Sequence, residues 1–102
     1  MTSSAFEEPY FSTIEVYAQN AVEFENNRIR FDDNLIIMKD LKAFLLLRKQ
    51  ELDSLQTSKF YVKLKYSNKT KKASISLVEN ILREVDILKV KYYKAEEPYK
   101  PF

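Results

Sequence analysis

The chain has 102 residues, with 17 Lys and Arg against 15 Asp and Glu, and it contains no Cys, His, Gly or Trp. Its length is that of one domain, and the missing residue types exclude the usual zinc sites, imidazole-assisted nucleophiles and glycine-rich phosphate loops. An enzyme would have to use carboxylates, lysines and tyrosines alone, so we expect a non-enzymatic protein with no cofactor and no metal site.

The N-terminal sequence MTSSAFEEPYF has neither the basic region nor the apolar region of a secretory signal. No apolar run reaches the roughly 18 residues that would predict a membrane-spanning helix. We therefore expect a soluble, cytoplasmic single domain over residues 1–102 with no membrane partner. Residues 1–11 and 95–102 are predicted to be flexible arms.

Alternating apolar and polar residues from Ser12 onwards predict a half-buried strand. A second alternating stretch ends at Phe31, and Asn26-Asn27 within it is typical of a left-handed turn, so a hairpin or short meander is expected. Asp32-Asp33-Asn34 then supplies side chains typical of a helix N-cap. An apolar-rich helix is predicted from there to about Gln56.

The second half begins with a strand over residues 60–66, in which apolar residues alternate with lysines and a tyrosine. Residues 67–70 are typical of a turn, and alternation over residues 73–77 predicts another strand. Apolar spacing of three and four predicts an amphipathic helix from residue 78 to about 88. Residues 88–92 also alternate like a strand, which leaves the end of that helix open.

The same order of strand, strand and helix is thus predicted twice. A shift of 46 residues aligns Val16 with Val62 and Asn34 with Asn80, and six of the 46 aligned positions are identical. We therefore predict an α+β fold in which two similar β-β-α units, residues 12–56 and 57–102, pack in tandem about a pseudo-twofold axis.

Charge is unevenly divided between the predicted units: residues 1–56 carry 6 basic and 10 acidic side chains, and residues 57–102 carry 11 and 5. A groove along the pseudo-twofold axis would have one acidic and one basic wall, and it would suit an extended peptide or partner segment. This protein-protein interaction module is the favoured function. The predicted partner-binding residues are Lys59, Tyr61, Lys63, Lys65, Glu15 and Tyr17.

The alternative is a nucleic-acid-binding protein. Residues 58–72 hold six lysines and no acid, interleaved with Phe60, Tyr61 and Tyr66, which is a pattern that can meet phosphates and stack a base. The same lysines could instead solvate a sheet face and protect an edge strand. Further nucleic-acid contacts are predicted at Lys69, Lys71 and Lys72.

Two other features have structural and functional interpretations. Residues 44–47 are apolar on nearly every side of the predicted helix, so a homodimer contact is one use for them. Four carboxylates occur as two pairs seven residues apart and could hold Mg²⁺, but we expect them to cap helices or oppose helix dipoles. These carboxylates are Asp33, Asp40, Glu79 and Asp86.

The word EEPY occurs in both tails, at residues 7–10 and 96–99. The tails could be docking motifs that offer Tyr and Phe to a partner, or acidic segments that fold back on the lysine-rich face. They could also simply end helices and start loops, since Glu-Pro is typical of such positions.

Residues 12–93, with the repeated pattern Ile-x-Phe/Leu-x-acid-Asn-Leu/Ile, resemble the small orphan proteins of filamentous viruses that infect hyperthermophilic archaea. The resemblance also rests on size and on a composition rich in Lys, Glu, Ile and Tyr. It implies a non-enzymatic viral protein that acts by contact with host or virion proteins.

Overall fold

The computed structural model describes residues 10–17 and 26–95, which form a five-stranded sheet and three α-helices. The strands are β1 (Phe11–Val16), β2 (Arg28–Phe31), β3 (Asn34–Ile37), β4 (Tyr61–Tyr66) and β5 (Val90–Lys94), and the helices are α1 (Leu41–Gln50), α2 (Ser54–Lys59) and α3 (Lys72–Glu84). The sheet order is β3-β2-β1-β4-β5, with β1, β4 and β5 mutually parallel and β2 antiparallel to both of its neighbours. An α+β fold is therefore confirmed.

The segment predicted to cap a long helix is instead the turn of a hairpin. Phe31 pairs with Asn34, and the two residues between them, Asp32 and Asp33, have φ of 49° and 71°. Two successive positive φ values suit the twist of a tight hairpin, and a chain without glycine places aspartates there. The predicted helix was wrong at its start, because Asn34–Ile37 pairs with β2 before a short 3-10 turn leads into α1.

The predicted strand over residues 73–77 was also wrong, because these residues form the first turns of α3. Ser74, Val78 and Leu82 are buried at a spacing of four, so the helical period decides the conformation of this segment. The helix ends with Asp86 at φ 60°, where the Ile87 amide donates to the Leu82 carbonyl at 2.9 Å. This is a Schellman ending, and it again uses aspartate where glycine is usual.

The described residues do not show the expected tandem duplication about a pseudo-twofold axis. The 46-residue shift aligns β2 and β3 with residues inside α3, so strands fall on a helix. The first half is strand-strand-strand-helix-helix and the second is strand-helix-strand. Phe11, assigned to an arm, is the first residue of β1, whereas most of both predicted arms and all three prolines of the chain lie outside the described residues.

The hydrophobic core lies between one face of the sheet and the helices. Strand residues such as Ile14 and Leu64 form one buried cluster with α1 residues, including Leu41, and α3 residues, including Leu82. Lys49 of α1 donates to the carbonyl of Val85 just after α3, at 2.7 Å, which ties the two helices together. In the described part of the chain, no helix has the length and apolar character to cross a membrane.

Candidate functional site

The sheet face that turns away from the helices is the candidate site, and we call it the open face. On β1 and β4 the buried side chains alternate with half-buried ones, so every second residue points away from the core. The strand registers place these residues side by side across all five strands. The open face comprises Phe11, Thr13, Glu15, Arg28, Arg30, Leu35, Ile37, Tyr61, Lys63, Lys65, Lys91 and Tyr93.

The open face is strongly basic, with two arginines from β2 and three lysines from β4 and β5 against a single carboxylate. That carboxylate, Glu15, lies beside Arg30 on one side and Lys65 on the other. It also accepts a hydrogen bond from the hydroxyl of Tyr17 at 3.1 Å. Among the described residues of this face, basic side chains thus outnumber acidic ones by four, which raises the local concentration of anions.

Three aromatic rings lie within this basic field. The rings of Phe11 and Tyr61 are on neighbouring strands, stacked with centroids 5.5 Å apart and planes 25° from parallel. Tyr93 lies on β5, next to Lys65 of β4. Two of these rings are half-buried, whereas Tyr93 is 41% exposed. They form a discontinuous aromatic platform across β1, β4 and β5.

Lysine ammonium groups sit over the rings of this platform. The Nζ atom of Lys63 is 4.1 Å from the centroid of Phe11 and 6.0 Å from that of Tyr93. The Nζ atom of Lys91 is 4.6 Å from the centroid of Tyr61. Each contact is within the range of a cation-π interaction, worth roughly 0.5–1 kcal/mol where water has access. The faces of these rings therefore contact lysine ammonium groups, which a planar ligand can displace.

The open face brings together four of the six residues predicted to bind a partner: Tyr61, Lys63, Lys65 and Glu15. Glu15 and Lys65 are neighbours because β1 pairs directly with β4. The sequence pattern instead predicted that the two halves meet at a groove along a pseudo-twofold axis. The other two predicted residues lie off the open face. Lys59 is the last residue of α2, and Tyr17 lies just after β1 with 7% of its surface exposed.

The three lysines predicted as nucleic-acid contacts lie at the rim of the sheet, between β4 and α3. Lys69 is in the turn, where its amide donates to the Ser67 hydroxyl at 3.1 Å, and Lys72 begins α3. The Thr70 hydroxyl anchors this turn by donating to the Val16 carbonyl at 2.7 Å. Lys69, Lys71 and Lys72 are therefore placed beyond the strand ends, where they border the open face without being part of it.

Sequence reasoning missed five of the open-face residues that matter most. Their signals were present, since the apolar residues of β2 alternate with arginines, and residues 88–92 were recognised as alternating. Strand order, which sequence alone did not supply, is what gathers them beside β4. The missed residues are Phe11, Arg28, Arg30, Lys91 and Tyr93.

The carboxylates that could have bound Mg²⁺ do not converge. The described residues contain no group of three or more metal-binding side chains. The expected capping role was also wrong for most of them, because Asp33 is in the hairpin turn and Asp86 follows α3. Glu79 instead accepts a hydrogen bond from the Tyr92 hydroxyl, which raises the pKa of Tyr92 because the bond stabilises the neutral phenol.

The chain matches no protein-family model, no curated protein and no solved structure. The viral and archaeal resemblance therefore stays a prediction, and the geometry of the open face carries the functional argument.

Proposed function

We propose that the protein binds single-stranded nucleic acid on the open face. The observation that supports this most is the combination of five basic side chains with three aromatic rings on the sheet face that turns away from the described helices. Phosphates are attracted by the excess positive charge, and bases stack on the rings without regard to sequence. This function corresponds to the alternative inferred from sequence, with a larger set of residues.

The lysines have a part in both the free and the bound state. An incoming base displaces the ammonium group of Lys63 or Lys91 from a ring, at a cost of roughly 0.5–1 kcal/mol. Stacking of a base on an aromatic side chain returns about 1–3 kcal/mol. The displaced ammonium group is then free to contact a phosphate. One cation-π contact is thus replaced by a base-stacking contact and a phosphate contact, which favours binding.

Single strands are favoured over duplexes because stacking on the rings of the open face needs exposed base faces. The rings of Tyr61 and Tyr93 can stack only on a base whose face is not already covered by a neighbouring base, and the bases of a duplex already stack on each other. Neighbouring strands are about 4.8 Å apart and residues on one face of a strand repeat every 6.8 Å or so, distances that a flexible single strand can follow.

The groove-bound peptide favoured from sequence fits the open face less well. It required an acidic wall opposite a basic wall, whereas Glu15 and Lys65 lie side by side on neighbouring strands. A single carboxylate among five basic groups is complementary to a polyanion. The open face therefore suits nucleic acid better than that peptide.

The test compares two adjacent tyrosines of β5 that point to opposite sides of the sheet. Binding of fluorescent single-stranded and duplex oligonucleotides is measured by anisotropy for the wild type, Tyr93→Leu and Tyr92→Leu. We expect single strands to bind more tightly than duplexes, and Tyr93→Leu to weaken the single-strand complex about tenfold. Tyr92→Leu, whose side chain faces α3, should change it by less than about twofold.

Failure of single strands to bind, or equal losses for the two substitutions, would refute the proposal. Tighter binding of duplexes would point to the phosphate backbone alone as the ligand feature.

A further inference from the structure

The outer edge of β5 offers hydrogen-bonding groups for another strand. The Val62 amide donates to the Lys89 carbonyl at 3.0 Å, and the Ala95 amide donates to the Tyr66 carbonyl at 2.7 Å. In a parallel strand, the backbone N–H and C=O groups of every second residue point to the same neighbouring strand. In β5 these groups point to β4 from the odd-numbered residues. The N–H and C=O groups of Val90, Tyr92 and Lys94 therefore point away from the described sheet.

An apolar groove lies along this edge on the helical side. It has a volume of about 290 Å³ and lies between the end of α3 and β5. Leu88 at its mouth is 78% exposed, more than any other large hydrophobic side chain of the described residues. Such a side chain beside an edge that pairs with no other described strand is a suitable anchor for an apolar residue on an added strand. The apolar part of its lining comprises Leu82, Ile87, Leu88, Val90 and the ring of Tyr92, and the oppositely charged side chains of Glu79 and Arg83 complete it.

The charge along this edge indicates what kind of segment can add to it. Lys89, Lys91 and Lys94 lie within or beside β5, and residues 88–95 contain no acid. Two copies paired edge to edge would bring these lysines together, which is unfavourable for like charges on neighbouring strands. An acidic segment is attracted instead. Nucleic acid lacks the amide ladder needed to pair with a strand edge.

We propose that β5 accepts an extended acidic peptide segment of a partner protein as a sixth strand. Alternate residues of this segment are apolar and enter the groove at Leu88, and the residues between them are Glu or Asp and face Lys91. The site shares Lys91 with the open face, whereas its apolar anchor, Leu88, lines the groove on the helical side. This inference does not depend on nucleic-acid binding.

The test uses a labelled synthetic peptide of about eight residues in which Glu alternates with Val and Leu. Its binding to the full chain is compared with that of three control peptides. One replaces Glu by Lys, one groups the same Glu residues at one end, and one carries N-methyl groups on alternate amides. Only the alternating acidic peptide should bind, because the controls lose charge attraction, alternation or the hydrogen-bond ladder respectively.

A matched pair of protein variants locates the site. Leu88→Asp places a charge at the mouth of the groove, and we expect it to weaken binding about tenfold. Leu55→Asp changes a leucine that is 66% exposed on α2, outside the groove, and should have less than about a twofold effect. Both variants should retain the stability of the wild type, which urea unfolding checks.

Absence of peptide binding would mean that the edge lysines only protect β5 from pairing, and the proposal would be overturned. Binding that tolerates N-methylation, or that Leu88→Asp and Leu55→Asp weaken equally, would also overturn it. Failure here is distinguishable from failure of nucleic-acid binding, because Tyr93→Leu removes one ring of the aromatic platform and leaves Leu88 in place.

Discussion

Salt dependence separates the role of the lysines from that of the rings. Four phosphate contacts are expected, because five basic side chains are offset by Glu15. At about 0.7 per phosphate for single strands, the slope of log K against log salt is then about −2.8. A rise from about 50 to 200 mM salt should weaken wild-type binding about 50-fold.

Lys63→Gln removes one of these contacts, so its slope should fall to about −2.1 and the same rise in salt should cost only about 20-fold. Lys42→Gln is the matched control, because Lys42 lies on α1 in a solvent-exposed ion pair with Glu84, 3.5 Å apart. Its slope should equal that of the wild type. Fluorescence anisotropy titrations at four or so salt concentrations measure all three slopes.

Tyr61→Ala should lower affinity at every salt concentration without a change of slope, because it removes stacking and no charge. Equal slopes for Lys63→Gln and Lys42→Gln would refute the assignment of phosphate contacts to the open face.

Three further predictions concern stability and pH. Asp32→Ala should lower the free energy of unfolding by about 2–4 kcal/mol, because the carboxylate accepts hydrogen bonds from the Ser12 hydroxyl and the Thr13 amide, each at 2.8 Å. Asp33→Ala should lower it by about 1–2 kcal/mol, because only the positive φ of this residue disfavours alanine. Equal losses in urea unfolding would contradict this. Because the pKa of Tyr92 is raised in the folded protein, its contribution to the free energy of unfolding is fully present below the unfolded pKa of about 10 and is lost as pH rises through the folded pKa. The urea midpoints of the wild type and Tyr92→Phe should therefore converge above about pH 10. A difference between the midpoints that stays constant with pH would contradict this. Leu64→Ala should cost about 2–5 kcal/mol in the same assay, because Leu64 is fully buried, and a loss under about 1 kcal/mol would contradict its place in the core.

The central strands were predictable because their two faces differ so clearly. Residues 60–66 alternate without exception, and the buried and half-buried sides of β4 follow that alternation for most of its length. The α+β class was also predictable from composition and pattern. Local periodicity is enough where one side of a strand meets the core and the other meets water.

Other elements depended on information that the local pattern lacks. Asp32-Asp33 resembles a helix cap in sequence, and only the pairing of Phe31 with Asn34 makes it a hairpin turn. Ala73, Ile75 and Leu77 alternate like a strand, but burial of Ser74 with Val78 requires a helix. Tertiary contacts outweigh propensity in such short ambiguous stretches.

The candidate site was predictable only where it lies on β4. Tyr61, Lys63 and Lys65 are close in sequence, so their alternation identified them. Phe11 joins them because β1 pairs with β4, and Tyr93 joins them because β5 adds on the other side. Contacts between residues 28 or more positions apart are set by strand order, which the local pattern does not supply.

Photocrosslinking tests the central claim most directly. A single-stranded oligonucleotide carrying a photoreactive base is irradiated on the full-length protein, and the crosslinked residues are identified by mass spectrometry. Our account predicts crosslinks at Phe11, Tyr61 and Tyr93, the three rings of the open face. Crosslinks confined to the helical layer, or to the turn at Lys69, would contradict it.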